Sequence, residues 1–232
     1  MSLKRPEAII RLTRYARGVV DVRVSARGAA PLASGGGKSA TLVGMSRVAE
    51  RSRLSPEEYL AWERLQEAKH EYFDGEVFAM AGGSPRHNRL VMTMGIALDA
   101  ALAARGCNVL SSDQRVRARD LRYVYPDLTV VCGALSLEHD DVLTNPTMLV
   151  EVLSSSTEQY DRGLKWDGYQ RLASLTDYLL VSQERARIEH FGRIDGRWIY
   201  ASANAGDPVT LTNSAVLEVD AIFAGVFSLP GD

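Results

Sequence analysis

The sequence predicts an α/β fold (α+β, with a mixed sheet) in one globular domain. Three observations lead to this prediction. Ser-Pro pairs at 55–56 and 84–85 are typical of helix starts. Two apolar runs in the middle of the chain have the continuous hydrophobicity of strands covered on both faces. Asp-Gly turns at 74–75 and 195–196 indicate hairpins. We therefore expect a core of helix, three strands, helix and strand, with a leading hairpin and a trailing β extension.

The composition is that of an ordinary globular protein. Of 232 residues, 46% are apolar and 24% are charged, which excludes disorder throughout. No apolar run approaches the roughly 20 residues of a membrane span, so no membrane partner is expected. Cys107 and Cys132 are too few for a disulfide framework and lack metal-ligand spacing, which fits a reducing cytoplasm.

The net charge of −2 divides unevenly along the chain. Residues 1–44 carry +6 and the remaining residues −8. The first segment contains a Gly- and Ala-rich run that offers little to a core. We predict a basic, poorly ordered extension over 1–44 and a single domain over 45–232, with Met45 as a candidate start. A basic arm that contacts nucleic acid is the alternative.

Two patterns inside the extension point in different directions. Val20, Val22 and Val24 alternate with polar residues, as in one short strand. Residues 35–39 resemble a phosphate-binding loop, but Leu32 stands where that loop needs a glycine, and no buried strand precedes it. Nucleotide binding is therefore not expected.

The first helix is predicted from an N-cap at Ser55 to about residue 66, with two acids facing the positive end of the helix dipole. Residues 70–80 are predicted as two short strands about the Asp-Gly turn. A second helix should run from Pro85 to about residue 105, because apolar residues repeat at helical spacing on one face. Gly106 is expected to end it.

Strands dominate the rest of the chain. We predict an alternating strand over 108–119 and two continuously apolar ones over 123–132 and 147–153, with an acidic loop over 133–146. The remaining elements are a third helix and a closing set of strands. They are expected over 157–173 for the helix, and over 177–182, 187–194, 197–203 and near 209–211 for the strands.

Two carboxylates carry the candidate chemistry. Asp127 and Glu151 each interrupt an otherwise apolar strand, where a charge is costly unless it is paired or binds a metal. Two such acids on neighbouring strands would suit a hard divalent cation such as magnesium. The alternative carries equal weight: each acid sits at a strand end and caps an amide or pairs with an arginine.

The third predicted helix adds a cation. Asp161, Lys165 and Tyr169 recur every four residues and so share one helix face, from which the lysine could reach the two carboxylates. The alternative is an ordinary surface ion pair between Asp161 and Lys165, worth a few tenths of a kcal/mol.

Six motifs occur together in an order that resembles a known family. They are Leu54-Ser-Pro-Glu-Glu-Tyr59, Glu71-Tyr-Phe-Asp-Gly-Glu76, Ser84-Pro-Arg-His87, Tyr125-Pro-Asp127, Leu149-Val-Glu151-Val-Leu-Ser154 and Asp161-Arg-Gly-Leu-Lys165. The family is that of the Uma-type restriction-endonuclease-like proteins, within the PD-(D/E)XK nuclease superfamily. The resemblance covers roughly residues 50–230 and implies a restriction-endonuclease-like core.

The resemblance implies a magnesium-dependent DNA endonuclease. Asp127 and Glu151 would ligate Mg²⁺ or Mn²⁺. The superfamily lysine normally lies two residues after that glutamate, where this chain has Leu153, and Lys165 matches a lysine supplied from the following helix. A catalytically idle nuclease-fold module that binds nucleic acid or a partner protein is the alternative function.

Further residues are candidates for the same site. Glu76 is expected to add a carboxylate, and His87 to contact phosphate or assist proton transfer. DNA is the expected partner, and assembly as a homodimer is left open. The candidate nucleic-acid contacts are Arg86, Arg89, Arg115, Arg117 and Tyr169, with Arg119 on the same strand side as Arg115 and Arg117.

Overall fold

The structure is a computed structural model that describes residues 9–14, 20–25, 53–119 and 122–232. The strands are β1 Ile9–Arg14, β2 Val20–Ser25, β3 His70–Phe73, β4 Glu76–Ala79, β5 Cys107–Ser111, β6 Arg115–Arg119, β7 Arg122–Val124, β8 Leu128–Cys132, β9 Leu137–Glu138, β10 Val142–Leu143, β11 Met148–Val152, β12 Asp177–Val181, β13 Arg187–Ile194, β14 Arg197–Asn204, β15 Pro208–Thr210 and β16 Val216–Glu218. The helices are α1 Pro56–Glu63, α2 Pro85–Leu102, α3 Glu158–Tyr160, α4 Trp166–Tyr169 and α5 Val219–Phe223, with a π-helical turn Asp161–Lys165 between α3 and α4 and 3₁₀ turns at Ala103–Arg105 and Val226–Ser228.

The main sheet has the strand order β14-β13-β12-β11-β8-β5. Strands β11 and β12 are parallel, and the helical segment α3–α4 connects them, while the other neighbours are antiparallel. This mixed sheet with helices confirms the predicted α/β class and the central order of its elements.

A second sheet has the order β4-β3-β7-β6-β10-β9. The chain leaves the main sheet after β5 and returns with β8, so residues 108–119 and 123–132 are each two strands rather than the single strands predicted. A turn at 112–114 breaks the first, and Pro126, which has no N–H to donate to a ladder, lies in the break of the second. The second break places Asp127 between the sheets, immediately before β8.

The two faces of the main sheet have separate cores, and β11 contributes to both. Met148, Val150 and Val152 pack with α2 and α5 on one face. Leu149 lies in the core on the opposite face, which contains residues of the helical segment α3–α4. Because side chains alternate along a strand, Glu151 projects to the same face as Leu149 and therefore towards that helical segment.

Local sequence signals fix both long helices. Ser55 caps α1 in a reciprocal capping box with Glu58, and Ser84 caps α2 by accepting from the backbone N–H of His87. Gly106 takes a left-handed conformation, φ 66°, directly after the 3₁₀ turn that ends this helix. The predicted starts of both helices and the Gly106 end are confirmed.

The predicted third helix is not continuous. Between α3 and α4 the backbone widens into the π-helical turn, which shifts the side chains that follow relative to a regular α-helix. Both Asp161 and Lys165 belong to this turn, and both are buried. The alternative in which they form an exposed surface pair is therefore wrong.

Several smaller elements were missed from sequence. Strands β9 and β10 lie inside the segment predicted as a loop. Strand β16 and helix α5 follow the last of the predicted strands. Cys107 and Cys132 face each other across β5 and β8 and are joined by a disulfide. This bond departs from the expectation of a reducing environment, and it was hidden because the pairing of β5 with β8 could not be read from the sequence.

The predicted strand at Val20–Ser25 is confirmed as β2, which pairs with β1 in an antiparallel hairpin. The rest of the predicted extension, including the segment 35–39 and Met45, lies outside the described residues. Within the described residues, no helix has the length and apolar character needed to cross a membrane.

Candidate active site

A cavity of roughly 300 Å³ opens where the break before β8 meets the carboxyl end of β11. Its lining brings together side chains from β3, the start of α2, the break before β8, β11 and the π-helical turn. The ionisable groups of the lining are Glu71, His87, Asp127, Glu151, Asp161, Lys165 and Asp232. Asp127, Glu151, Lys165 and His87, all predicted as site residues, thus lie on one cavity.

Asp127 is fixed through one of its two carboxylate oxygens. Its Oδ2 accepts a hydrogen bond of 2.7 Å from the backbone N–H of Val152, the residue after Glu151. The Nε2 atom of His87 lies 3.3 Å from the same oxygen. Neither contact uses Oδ1, so Asp127 caps an amide, as one interpretation expected, and still presents an oxygen to the cavity.

Glu151 is held in a similar way. Its Oε1 accepts hydrogen bonds from Lys165 Nζ at 3.0 Å and from the Tyr169 hydroxyl at 2.8 Å. Neither donor uses Oε2. The glutamate side chain is buried, with an exposed fraction of 4%, and the two donors orient it from the same helical segment.

Lys165 lies among three carboxylates. Its Nζ is 3.0 Å from Glu151, 3.2 Å from Asp161 and 3.3 Å from Glu71. Burial alone would lower the pKa of Lys165, but the three carboxylates outweigh burial and raise that pKa well above its ordinary value. The lysine is therefore a fixed positive charge at neutral pH.

The site nevertheless has more carboxylates than cations. Burial raises the pKa of Glu151 well above its ordinary value, and the neighbouring carboxylates add to the rise while Lys165 opposes it. Burial likewise raises the pKa of Asp161, with Lys165 again opposing. Five acids line this cavity together with one lysine and one histidine, so additional positive charge would stabilise their ionised forms.

His87 lies in the first turn of α2 beside the cavity. Burial lowers its pKa, but the hydrogen bond and charge of Asp127, with Asp232 and Asp161 behind it, prevail, so the net pKa is raised. The other ring nitrogen, Nδ1, is buried and has no hydrogen-bond partner among the described residues. This imidazole can therefore hold a proton next to Asp127.

Glu71, which sequence analysis missed as a site residue, takes the place expected for Glu76. Its Oε1 accepts from the backbone N–H of Tyr125 at 3.1 Å, and its Oε2 is buried without a hydrogen-bond partner among the described residues. Glu76 begins β4 and lies outside the cavity lining. The strand that carries Glu71 reads His-Glu-Tyr-Phe and is half polar, so Glu71 lacked the sequence signal of an acid within an apolar run that selected Asp127 and Glu151.

The residues predicted to contact nucleic acid differ from one another in exposure and in the partners they bind. Arg86 donates to the backbone oxygens of Leu229 and Gln183, and Tyr169 is fully buried behind Glu151. Arg89 is exposed on α2.

The three arginines of β6 pair with acids of this chain. Arg115 is buried and binds the Tyr125 hydroxyl and Asp141. Arg117 pairs with Glu138 at 3.0 Å, and Arg119 with Asp167 at 3.5 Å. The local positive charge of this strand is therefore largely neutralised within the chain.

The donor set suits a hard divalent cation. Asp127 and Glu151 each have one oxygen fixed by protein donors and a second oxygen that those donors leave unused. Within the described ranges, no three His, Cys, Asp or Glu side chains converge as a complete metal-binding set. Two carboxylates with several waters are nonetheless the usual environment of Mg²⁺.

The mixed α/β fold is that of the restriction-endonuclease-like class. A crystal structure described as a putative nuclease belonging to DUF820, from Anabaena variabilis, superposes with a TM-score of 0.61 at 13% identity and covers 75% of this chain and 99% of that one. This similarity concerns the fold alone.

Sequence comparison gives the family. The model of the Uma2 family, described as "Putative restriction endonuclease", matches residues 56–224. The uncharacterized protein slr1290 of Synechocystis sp. is 37% identical over 177 residues, which cover 75% of this chain and 93% of that protein. The uncharacterized protein sll1609 of the same organism is 32% identical over 159 residues, 67% of this chain and 90% of its own length. The chain belongs to the Uma2 family.

Proposed function

We propose that this protein is a magnesium-dependent endonuclease that hydrolyses DNA phosphodiester bonds. The observation that carries the proposal is the convergence of Asp127, Glu151 and Lys165 on one cavity. Membership of a family described as restriction endonucleases supports the reaction class. Magnesium and DNA are the finer steps of the proposal and follow from the chemistry of the side chains.

Asp127 and Glu151 would hold the cation through the oxygens that their protein donors leave unused. When bound, the cation supplies positive charge that polarises a water molecule and a phosphate oxygen. Tyr169 and Lys165 keep Glu151 in one orientation, and the backbone N–H of Val152 does the same for Asp127. The site is thus rigid before substrate enters, which lowers the reorganisation needed in the reaction.

Lys165 would stabilise the negative charge that develops on the phosphate. Its ammonium group is fixed by three carboxylates at the inner end of the cavity, where low exposure strengthens electrostatic interactions. His87, whose raised pKa is maintained by Asp127, would hold a proton beside that carboxylate and add positive charge to the cavity that receives the phosphate. Both roles use groups that line the same cavity.

A catalytically idle nuclease-fold module is the second candidate, because one observation favours it. The salt bridge between Lys165 and Glu151 engages both groups with each other in the absence of substrate. If that pair does not separate, the site would keep the outline of a nuclease without the activity, and the protein would bind nucleic acid or a partner protein.

Nicking of supercoiled plasmid and of single-stranded DNA by pure protein, with magnesium or manganese, separates the two candidates. We expect metal-dependent nicking that Asp127→Asn abolishes. Glu76→Gln is the matched control, because Glu76 is a carboxylate outside the cavity, and it should nick like wild type. If neither metal supports cleavage of either DNA, the idle module is the better description.

A further inference from the structure

The outer face of α2 carries a stripe that the site does not use. Five exposed residues of α2, and Ala103 directly after it, recur at alternating spacings of four and three. They are Pro85, Arg89, Met92, Ile96, Asp99 and Ala103. This alternation is the seam of a helix that packs against another helix, since positions four and three apart share a face. The opposite face of α2, with Leu90, Met94, Leu98 and Leu102, is buried in the main core.

Two large apolar side chains lie at the centre of this stripe. Met92 is 59% exposed and Ile96 is 61% exposed, one helical turn apart. Exposed apolar residues are common singly, but a pair aligned on a helical seam and flanked by charges is typical of an interaction surface.

The stripe is symmetric about position 94. Residues 92 and 96, 89 and 99, and 85 and 103 lie at equal distances on either side of it. If a second copy of α2 packed antiparallel with a two-fold axis at this position, Met92 would face Ile96 of the partner subunit. Arg89 would then face Asp99 of the partner subunit, and each contact would occur twice, as in any two-fold interface.

Charge selects the antiparallel arrangement. In a parallel, in-register pair, Arg89 would face Arg89 of the partner subunit and Asp99 would face its own copy, which is repulsive at both ends. The antiparallel pair places opposite charges together at both ends and apolar groups in the middle.

We propose that the stripe is a homodimer interface, in which α2 packs against the same helix of a second copy. This interface does not depend on the proposed nuclease function. It does affect how two cavities are arranged, because His87 lies in the first turn of the same helix. At about 1.5 Å per residue, the two His87 residues would lie on opposite sides of the axis, each about 10 Å from it along the helix. The two cavities would then be held in a fixed, two-fold relation.

The first test measures assembly. Sedimentation of the full chain at roughly 10–100 μM should show a dimer, and Ile96→Glu should weaken the dimer at least about tenfold, because each new carboxylate would be buried against the apolar side chain of Met92 of the partner subunit. Leu65→Glu is the control, since Leu65 is 74% exposed and lies outside α2. A wild-type monomer throughout this range overturns the proposal, and so does equal weakening by both substitutions.

The second test fixes the register by charge exchange. Arg89→Asp alone and Asp99→Arg alone should each weaken the dimer, because each places like charges together at both ends. A mixture of the two single variants should form a heterodimer, and the double variant should regain its own dimer. These substitutions place an acid nearer the start of α2 and a base nearer its end, which suits the helix dipole and preserves folding.

Either failure of charge exchange contradicts the antiparallel register. If the single variants associate like wild type, Arg89 and Asp99 do not meet across the interface. If both are monomeric and the mixture is monomeric too, the loss does not come from the pairing of these charges. Circular dichroism of each variant confirms that α2 and the fold are retained.

Discussion

Two buried carboxylates at opposite ends of the same parallel strand pair have opposite surroundings. Asp177 begins β12 and accepts hydrogen bonds from His190, from the backbone N–H and hydroxyl of Thr212, and from the hydroxyl of Thr176. Glu151 lies near the end of β11 and accepts from Lys165 and Tyr169, but four further carboxylates line the same cavity.

The contrast appears in the pKa of each group. Burial would raise the pKa of Asp177, but the donors from His190 and Thr212 outweigh it and lower that pKa. At Glu151, burial and the neighbouring acids raise the pKa well above its ordinary value. Asp177 has donors for its hydrogen bonds, whereas Glu151 shares the ammonium group of Lys165 with two other carboxylates. A carboxylate of the first kind stabilises the fold, and one of the second kind is suited to bind something.

The largest expected effect separates these two roles at Glu151. Glu151→Gln should abolish metal-dependent nicking, by at least about a hundredfold, because the cation loses one of two charged ligands. It should also raise the free energy of unfolding, because the raised pKa of Glu151 means that its ionised form destabilises the fold.

The size of this gain in the free energy of unfolding depends on pH. A carboxyl with a raised pKa costs no stability below its unfolded pKa and destabilises the fold as pH rises through the folded value. Urea unfolding of Glu151→Gln and wild type from pH 5 to pH 9 should therefore show a gain that grows with pH. A variant that is less stable than wild type at high pH would contradict a surplus of acid at this site.

Substitution of Lys165, the lysine that lines the cavity, should have the next largest effect on stability and activity. Lys165→Met keeps most of the side-chain volume but leaves buried carboxylates without their cation, which should cost about 3–5 kcal/mol of stability near pH 8. The cost should shrink near pH 5, where the carboxylates with raised pKa take up protons. Where the variant is folded, its nicking should fall at least about a hundredfold.

Lys69→Met is the control for this prediction. Lys69 is a partly exposed lysine whose ammonium pairs with the exposed Asp113 at 3.1 Å, and its loss should cost under about 1 kcal/mol. Equal losses for the two variants in urea unfolding would mean that burial does not distinguish these lysines.

Asp177→Asn should reverse the pattern of Glu151→Gln. The amide keeps the shape but loses the charge and one acceptor, so unfolding should become easier by about 1.5–3 kcal/mol at pH 7, while nicking stays at the wild-type rate. A carboxyl with a lowered pKa stabilises the fold above its unfolded pKa, about 3.9, and this is lost as pH falls through the folded value. The difference between the variants should therefore shrink below about pH 4, and a constant difference would contradict it.

The sequence predicted which side chains lie on one cavity better than it predicted the path of the chain. Asp127 and Glu151 stood out because a charge within an apolar strand needs a reason, and helical spacing placed Lys165 with Asp161 and Tyr169. Ser55, Ser84 and Gly106 fixed helix ends because their signals are local. The two breaks between the sheets were missed, since a strand that changes sheets differs from a continuous one only by a short turn or a single proline.

Features that depend on distant pairing were also out of reach. The disulfide requires β5 to lie beside β8, and the burial of Lys165 requires the π-helical turn and β3 to close over it. Glu71 and Glu76 lie on the same face of the β3–β4 hairpin but at different distances from its turn, and the packing of the hairpin decides which of them reaches the cavity. Each of these is set by tertiary packing, which overrides the local pattern.

The smallest expected effect concerns His87, which pairs with Asp127 as His190 pairs with Asp177 in the described part of the chain. His87→Gln can still donate to Asp127, which the backbone of Val152 also holds, so nicking should fall only about tenfold through loss of a proton-holding ring. The raised pKa of His87 means that its imidazolium stabilises the fold fully below its unfolded pKa, about 6.5, and that this is lost as pH rises through the folded value. Urea unfolding of His87→Gln should therefore show a deficit that is largest near pH 6 and disappears towards pH 9. A deficit independent of pH would mean that the ring is held by packing rather than by its charge, and the proton role of His87 would fail with it.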